Sequence, residues 1–311
     1  MQKILLTGSN GLLGQKLVEL ILDKGEYQLI ATARGENRLP MLHSPQSPDG
    51  QAVYRSLDVT NRAEVEQIMA EYQPDYVIHT AAMTNVDQCE AEHKACWQLN
   101  VEAVQYLADA CAAYDAFLLH LSTDFIFDGA AGPYDENAEA KPLSYYGESK
   151  LASERVLSES ENLRWAIART ILVYGIAHDM SRSNIILWVK NALENQKTIK
   201  VVDDQWRTPT LAEDLATGCY LIVKHNATGI FNISGKDMLT PYDMATQTAA
   251  FFGLDTSYMV RADSSTFTQP AKRPARTGFV IDKARNQLGY QPHSFKEGIA
   301  IVANQFAAGS Q

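Results

Sequence analysis

The chain has 311 residues, 46% of them hydrophobic and 21% charged, and a formal net charge of -10. That length can bury the core of one large α/β domain or of two lobes, and the acidic balance offers no attractive field to nucleic acid or to an anionic membrane surface. The opening apolar run is short and ends at Gly8, and no stretch approaches the length of a membrane span, so the expectation is a cytoplasmic protein.

Along the first 170 residues, apolar runs alternate with amphipathic stretches. KILL (3–6) leads into a helical pattern at 12–24, and YQLIATA (27–33) is followed by a turn-rich loop at 35–51. AVYRSL (52–57), a helix at 62–72, DYVIHTA (75–81), a long helical stretch at 88–113, AFLLHLS (116–122) and WAIART (165–170) continue the series. Strands separated by helices of this length predict a Rossmann-type doubly wound parallel sheet of six strands, with right-handed crossovers and helices on both faces. Past Tyr174 the order loosens into a helical segment at 184–195, a run KVVDD, a helix at 211–224, a strand GIFNIS and a region with prolines at 241, 270, 274 and 292. The expected division is a dinucleotide-binding domain at 1–173, with elements near 201–235 returning to it, and a smaller C-terminal substrate-binding lobe from 174–200 and 236–311. Cys89, Cys96, Cys111 and Cys219 lack C-x-x-C spacing and read as reduced packing thiols. No metal centre is expected.

TGSNGLLG (7–14) follows the first strand and opens the first helix. Gly8 suits the tight turn, Gly11 the approach of the backbone to a pyrophosphate, and Gly14 close packing of the helix. Gly8, Asn10, Gly11, Leu12, Leu13 and Gly14 are therefore candidate cofactor contacts. The spacing Gly-x-x-Gly-x-x-Gly resembles that of the extended short-chain dehydrogenase/reductase family. Strand two ends at Arg34, where an acidic residue would bind the ribose hydroxyls of NAD; a cation there suits a 2'-phosphate, with Arg38 beside it, so NADP(H) is expected. The competing reading of Arg34 is a solvated loop arginine. By the family resemblance, Asp58 with Val59 and Ala81 with Ala82 frame the adenine and ribose.

SYYGESK (144–150) places Tyr146 and Lys150 four apart, on one face of a helix, with Tyr145 off that face. A second pair, Tyr220 and Lys224, has the same spacing but lies in an apolar segment, so Tyr220 reads as a core or boundary residue. The first pair follows a strand that ends in Ser122 and Thr123, at the carboxyl edge where this architecture binds ligands. A tyrosine near its ordinary pKa of about 10 exchanges protons poorly at neutral pH, and a nearby cation favours its phenolate.

The stretches HTAAMTNVDQCE (79–90), LN (99–100), STDFIFDGAAGPYDENAEAKPLSYYGESK (122–150), RTILVYG (169–175), DLA (214–216) and KRPART (272–277) resemble the dTDP-4-dehydrorhamnose reductase branch of that family across nearly the whole chain. The resemblance implies Thr123, Tyr146 and Lys150 as the catalytic set and Thr84 as a cofactor contact. It implies hydride transfer to C4 of a 4-keto sugar carried on a nucleoside diphosphate, with Tyr146 donating the proton and Lys150 lowering its pKa. Arg207 stands where related sugar-nucleotide epimerases hold the substrate diphosphate; Asn184, Arg207 and Arg273 form the candidate substrate-binding set, with surface ion pairing as the competing reading of the two arginines. The expected partners are a nucleotide-sugar substrate and, for a homodimer, a second copy of the chain. Two alternatives accompany the reductase reading: an NADP-binding regulatory subunit resembling the methionine adenosyltransferase β subunit, and a sugar-nucleotide epimerase.

Overall fold

The structure, a computed structural model, describes residues 1–39, 42, 51–178 and 184–309. Most of the turn-rich loop at 35–51 thus lies outside the described residues. In chain order the strands are β1 (Lys3–Thr7), β2 (Gln28–Ala33), β3 (Ala52–Ser56), β4 (Tyr76–His79), β5 (Phe117–Thr123), β6 (Trp165–Thr170), β7 (Val173–Tyr174), β8 (Ile199–Val202), β9 (Thr210–Leu211), β10 (Gly229–Asn232) and β11 (Met259–Ala262). The helices are α1 (Leu12–Lys24), α2 (Arg62–Tyr72), α3 (Val86–Ala91), α4 (His93–Trp97), α5 (Ala103–Ala113), α6 (Tyr145–Ser158), α7 (Ile185–Glu194), α8 (Ala212–Lys224), α9 (Pro241–Phe252), α10 (Asp282–Leu288) and α11 (Phe295–Gly309).

Successive strand side chains point to opposite faces, so each central strand feeds two cores. Ile4, Leu6, Leu29, Ala31, Ile78, Leu119 and Ala168 join Leu17, Ile21, Leu215 and Ile222 of α1 and α8 on one face. Leu5, Ile30, Val77, Leu118 and Ile167 join Val65, Met69, Val104, Leu107 and Leu157 of α2, α5 and α6 on the other. Burying each such side chain contributes about 1.5–3 kcal/mol, which makes strands apolar on both faces the stable choice for a parallel sheet.

The main sheet is parallel throughout, in the order β10-β6-β5-β4-β1-β2-β3. Six strands were expected in the first 170 residues; among the described residues the sheet has seven, because β10 adds beside β6. The order reverses at β1, where β2 lies on one side and β4 on the other, and the glycine loop leaves the sheet at this switch point. α8 packs against α1. β8 pairs instead with β11, away from the main sheet, and packs with α7 and α9 around Val189, Leu193, Ile199, Val201, Ala245 and Met259.

The stretch 88–113, expected as one long helix, is interrupted. α3 ends at Glu92, whose backbone leaves the helical region, and a π-helical turn at Gln98–Glu102 separates α4 from α5. The turn carries Asn100, whose side-chain oxygen accepts from the Met83 N–H at 2.8 Å and whose amide donates to the Met83 carbonyl and the Ser149 hydroxyl, both at 3.1 Å. A buried amide satisfied on both sides outweighs a continuous helical ladder here, and it ties the end of β4 to α6.

α6 begins where Ser144 caps it by accepting from the Gly147 N–H. Gly147 lies against the turn after β5: a Cβ there would stand 2.2 Å from the Phe125 carbonyl oxygen. At an exposed helix position, glycine to alanine would stabilise by up to about 1 kcal/mol. At this site the methyl group forces α6 away from β5, so Gly147→Ala is expected to destabilise by about 1–3 kcal/mol in urea unfolding. A neutral or stabilising result would show that the helix can shift without cost.

Candidate active site

The turn between β1 and α1 is shaped by close contacts. Gly8 has φ +74°, and a Cβ on it would meet Thr80 Oγ1 at 2.6 Å and the Ala81 nitrogen at 2.8 Å; one on Gly14 would meet the Gly8 carbonyl at 2.2 Å. α1 starts at Gly11 with no side-chain cap and no acid in its first turn, where Leu12 and Leu13 are half-buried. Its first N–H groups and its dipole are thereby left for an external anion. Asn10 braces the turn, donating to the Glu36 carbonyl at 2.9 Å and accepting from the Arg38 N–H at 3.1 Å.

Arg34 and Arg38 are exposed beyond β2. Partial burial pushes the Asp58 carboxyl up, but hydrogen bonds from Thr60 and the charge of Arg34 bring it below its ordinary range. Val59 is buried, Ala81 and Ala82 lie half-buried past β4, and Thr84 is exposed. A glycine cradle, an uncapped helix start and an exposed cation at the end of β2 fit the pyrophosphate and the 2'-phosphate of a dinucleotide.

At the carboxyl end of β5 the three expected catalytic side chains converge. Tyr146 is buried between Phe125, 5.7 Å away edge-on, and the Thr123 hydroxyl. Burial pushes the phenol above its ordinary pKa, and the hydrogen bond shared with Thr123 pulls the other way. Lys150, one turn along, is also buried, and burial lowers its ammonium to about 8, with Glu154 and Cys96 opposing that shift. The expected depression of the tyrosine by the lysine is not what the surroundings produce. Lys150 Nζ lies 3.0 Å from His120 Nε2, and desolvation dominates at the phenol.

Thr123 donates to Asp124 at 3.1 Å, and the other Asp124 oxygen accepts from the Thr277 hydroxyl at 2.5 Å and lies 3.7 Å from Arg207 Nε. Burial raises the Asp124 carboxyl, against the charge of Arg207 and these hydrogen bonds. Arg207 is itself buried, and its outer nitrogens donate to the carbonyls of Trp206, Pro274 and Ala275. A diphosphate would have to displace those bonds, so this guanidinium is bound up inside the protein. Arg273 forms a two-pronged pair with Asp87 at 2.8 and 3.2 Å, and its side chain is 20% exposed. Asn184 caps α7, accepting from the Leu187 N–H, and donates to the Gly175 carbonyl at 2.7 Å.

Sequence reasoning overlooked His120, Asp124 and Asn100, all of which touch the expected catalytic set or brace it. The signal for His120 was available: LHLST alternates with period two, so His120 shares the side of β5 held by Ser122. The other tyrosine-lysine pair is a clamp, with the Tyr220 hydroxyl donating to Glu26 at 2.6 Å and Lys224 at 3.0 Å from the same carboxylate. The four cysteines are buried and unpaired by disulfides. Among the described residues, no helix is long and apolar enough to cross a membrane, and no group of three or more His, Cys, Asp or Glu side chains is placed to hold a metal ion.

The sequence profile of the RmlD substrate binding domain matches residues 1–308. A dTDP-4-dehydrorhamnose reductase of Aggregatibacter actinomycetemcomitans is 30% identical over 97% of this chain and 98% of its own. The β subunit of methionine adenosyltransferase 2 of Pongo abelii is 30% identical over 96% of this chain and 86% of its own. Among solved structures, dTDP-4-dehydrorhamnose reductase of Bacillus anthracis in complex with NADP superposes with a TM-score of 0.83 at 26% identity, covering 98% of this chain and all of the other.

Burial of the lysine charge has a measurable cost. Its folded pKa of about 8 lies below the ordinary 10.5, so between those values the unfolded chain holds more protons and stability rises with pH. Lys150→Met removes that dependence. The variant is expected to be more stable than the parent by about 1–3 kcal/mol at pH 7, with the gap closing towards pH 10. Urea unfolding at the two pH values checks this; a variant less stable at pH 7 would mean the charge is better accommodated than its burial implies.

Proposed function

We propose that this chain, which belongs to the RmlD substrate binding domain family, reduces the C4 keto group of a nucleotide-linked deoxysugar, of the dTDP-4-dehydrorhamnose type, with NADPH. The observation that carries the reading is the placement of Thr123 beside the buried Tyr146 at the carboxyl edge of the sheet, with Lys150 one helical turn away and the glycine cradle two strands across. A nicotinamide cofactor, when bound, supplies the hydride.

The remaining work belongs to the chain's own groups. Because burial holds the Tyr146 phenol above its ordinary pKa, it carries its proton throughout the neutral range, the state needed to protonate a developing alkoxide. The Thr123 hydroxyl stands beside the phenol, and in this state its one proton is directed to Asp124, so donation to the substrate oxygen requires that bond to be exchanged. Lys150 brings a positive charge to a site from which β5, α6 and Phe125 exclude water, where a charge acts more strongly than in solution. The α1 start and Arg34 hold the cofactor phosphates in this reading. Arg273 is assigned to the substrate diphosphate with Asp87 steadying it, whereas Arg207 serves the interior by holding Asp124.

A second reading, an NADP-binding regulatory subunit, is supported by the likeness to the methionine adenosyltransferase β subunit. Turnover separates the two. Oxidation of NADPH with dTDP-4-dehydro-6-deoxy-L-mannose is expected for the parent protein, and Tyr146→Phe is expected to lose about 10²–10⁴-fold in kcat with unchanged NADPH affinity. Tight NADPH binding without turnover of this or another 4-keto sugar nucleotide would replace the first reading by the second. Arg34→Glu is expected to weaken NADPH binding by roughly tenfold or more while leaving NADH nearly unaffected, as titration of nucleotide fluorescence would show. Equal losses for both nucleotides would remove Arg34 from the 2'-phosphate.

A further inference from the structure

The face of the sheet that packs on α6 changes character one step before its carboxyl edge. On that face Leu5, Val77 and Leu118 are core residues, and two positions further along the same strands stand Thr7, His79 and His120. These three form one row in register across β1, β4 and β5, and all are fully buried. Two imidazoles in a position that packing alone would fill with leucine or valine call for a function.

The row is linked by hydrogen bonds at its two ends and a ring stack between, with His79 Nε2 and His120 Nδ1 left without hydrogen-bond partners among the described residues. Thr7 Oγ1 lies 2.7 Å from His79 Nδ1, and the His79 ring stacks on His120 at 5.5 Å and 19°. His120 Nε2 lies 2.9 Å from Ser153 Oγ and 3.0 Å from Lys150 Nζ. The Ser153 proton goes to the Lys150 carbonyl at 2.7 Å, so the ammonium is the donor available to Nε2. Burial keeps both rings neutral, lowering His79 to about 3 and His120 well below its ordinary value. The other groups facing Lys150 are committed elsewhere or are weaker acceptors. Glu154 is held by Arg169 at 2.7 and 2.9 Å, Cys96 is bonded with Ser149 and Asn100, and the Tyr146 phenol stands beside Thr123.

We propose that His120 is the positioning residue of Lys150: its neutral Nε2 accepts one Nζ proton, which fixes the ammonium at the floor of the site and turns its two remaining N–H bonds towards the cofactor ribose and Tyr146. An ammonium has three donors, so one bond to the sheet leaves two for the reaction. The inference rests on the reductase reading for what Lys150 does, but the contact itself does not. Removing the acceptor disfavours the charged form, so the Lys150 titration moves to lower pH, and activity that needs the ammonium is lost at lower pH as well.

The test is a titration of protein labelled with 13Cε-lysine, without substrate, the Lys150 resonance being assigned by its loss in Lys150→Met. A pH profile of NADPH oxidation is measured alongside. The parent is expected to titrate near 8. His120→Leu is expected to move both the resonance and the alkaline limb of the rate down by about one pH unit, with roughly fivefold lower kcat at pH 8. His120→Gln, whose amide oxygen can accept the same bond, is expected to recover most of both. Should His120→Leu not fold, His120→Asn, too short to reach Nζ, takes its place with the same expected shifts. An unmoved Lys150 resonance in a folded variant overturns the proposal, and so does a moved resonance with an unchanged rate profile in an active enzyme. If the parent turns over no 4-keto sugar, the reductase reading fails while the resonance still decides whether His120 holds Lys150.

Discussion

The seating of α6 on the carboxyl end of β5 is the constraint on which the site depends. Gly147 permits the approach, since any Cβ there would run into the Phe125 carbonyl. Ser144 starts the helix at that level by capping Gly147. Once the helix is seated, its residues at three- and four-residue spacing meet the sheet in order. Tyr146 reaches Thr123, Lys150 and Ser153 reach His120, Glu154 pairs with Arg169, and Leu157 enters the core. One helix face therefore runs from reactive to charged to apolar over about three turns, and each side chain is placed by the same contact.

The parts of this arrangement that sequence made visible are those written locally. Strands apolar on both faces, a glycine loop between strand and helix, and Tyr146 four residues before Lys150 are all patterns within a short window. What was hidden depends on residues far apart in the chain. The side of β5 that His120 shares with Ser122 could be read from the strand, but not its contact with Lys150, 30 residues away. Arg207 read as a cation for a diphosphate or for a surface ion pair, and only the fold brings the carbonyls of Pro274 and Ala275 to it across 67 and 68 residues. The break in the stretch 88–113 was equally silent, since helix-forming residues continue through it and the cause is a buried amide of Asn100 bonded to Met83.

Arg207 and Asp124 show how segments late in the chain are coupled to the turn after β5. A buried ion pair contributes little net stability, because desolvation of both charges offsets their attraction. Removing one partner, in contrast, strands a charge and costs about 3–5 kcal/mol. Here the pair joins the turn after β5 to the segments around 207 and 274–277. It fixes Asp124, which accepts the Thr123 proton. The orientation of the Thr123 hydroxyl thus depends on segments that arrive from the far end of the chain.

The same economy explains why polar residues interrupt the core where they do. Lys150 is held as a buried cation against its tendency to lose the proton, and a neutral imidazole is a suitable support for it. A carboxylate in the place of His120 would bind the ammonium more strongly, but it would neutralise the positive field that Lys150 brings to the site. A leucine would leave the charge without an acceptor. Histidine accepts one hydrogen bond, adds no charge while it stays neutral, and in this fold its ring is braced by His79 and Thr7. Because Thr7 immediately precedes Gly8, the bracing begins at the cofactor turn, so the two halves of the site share one row of the sheet.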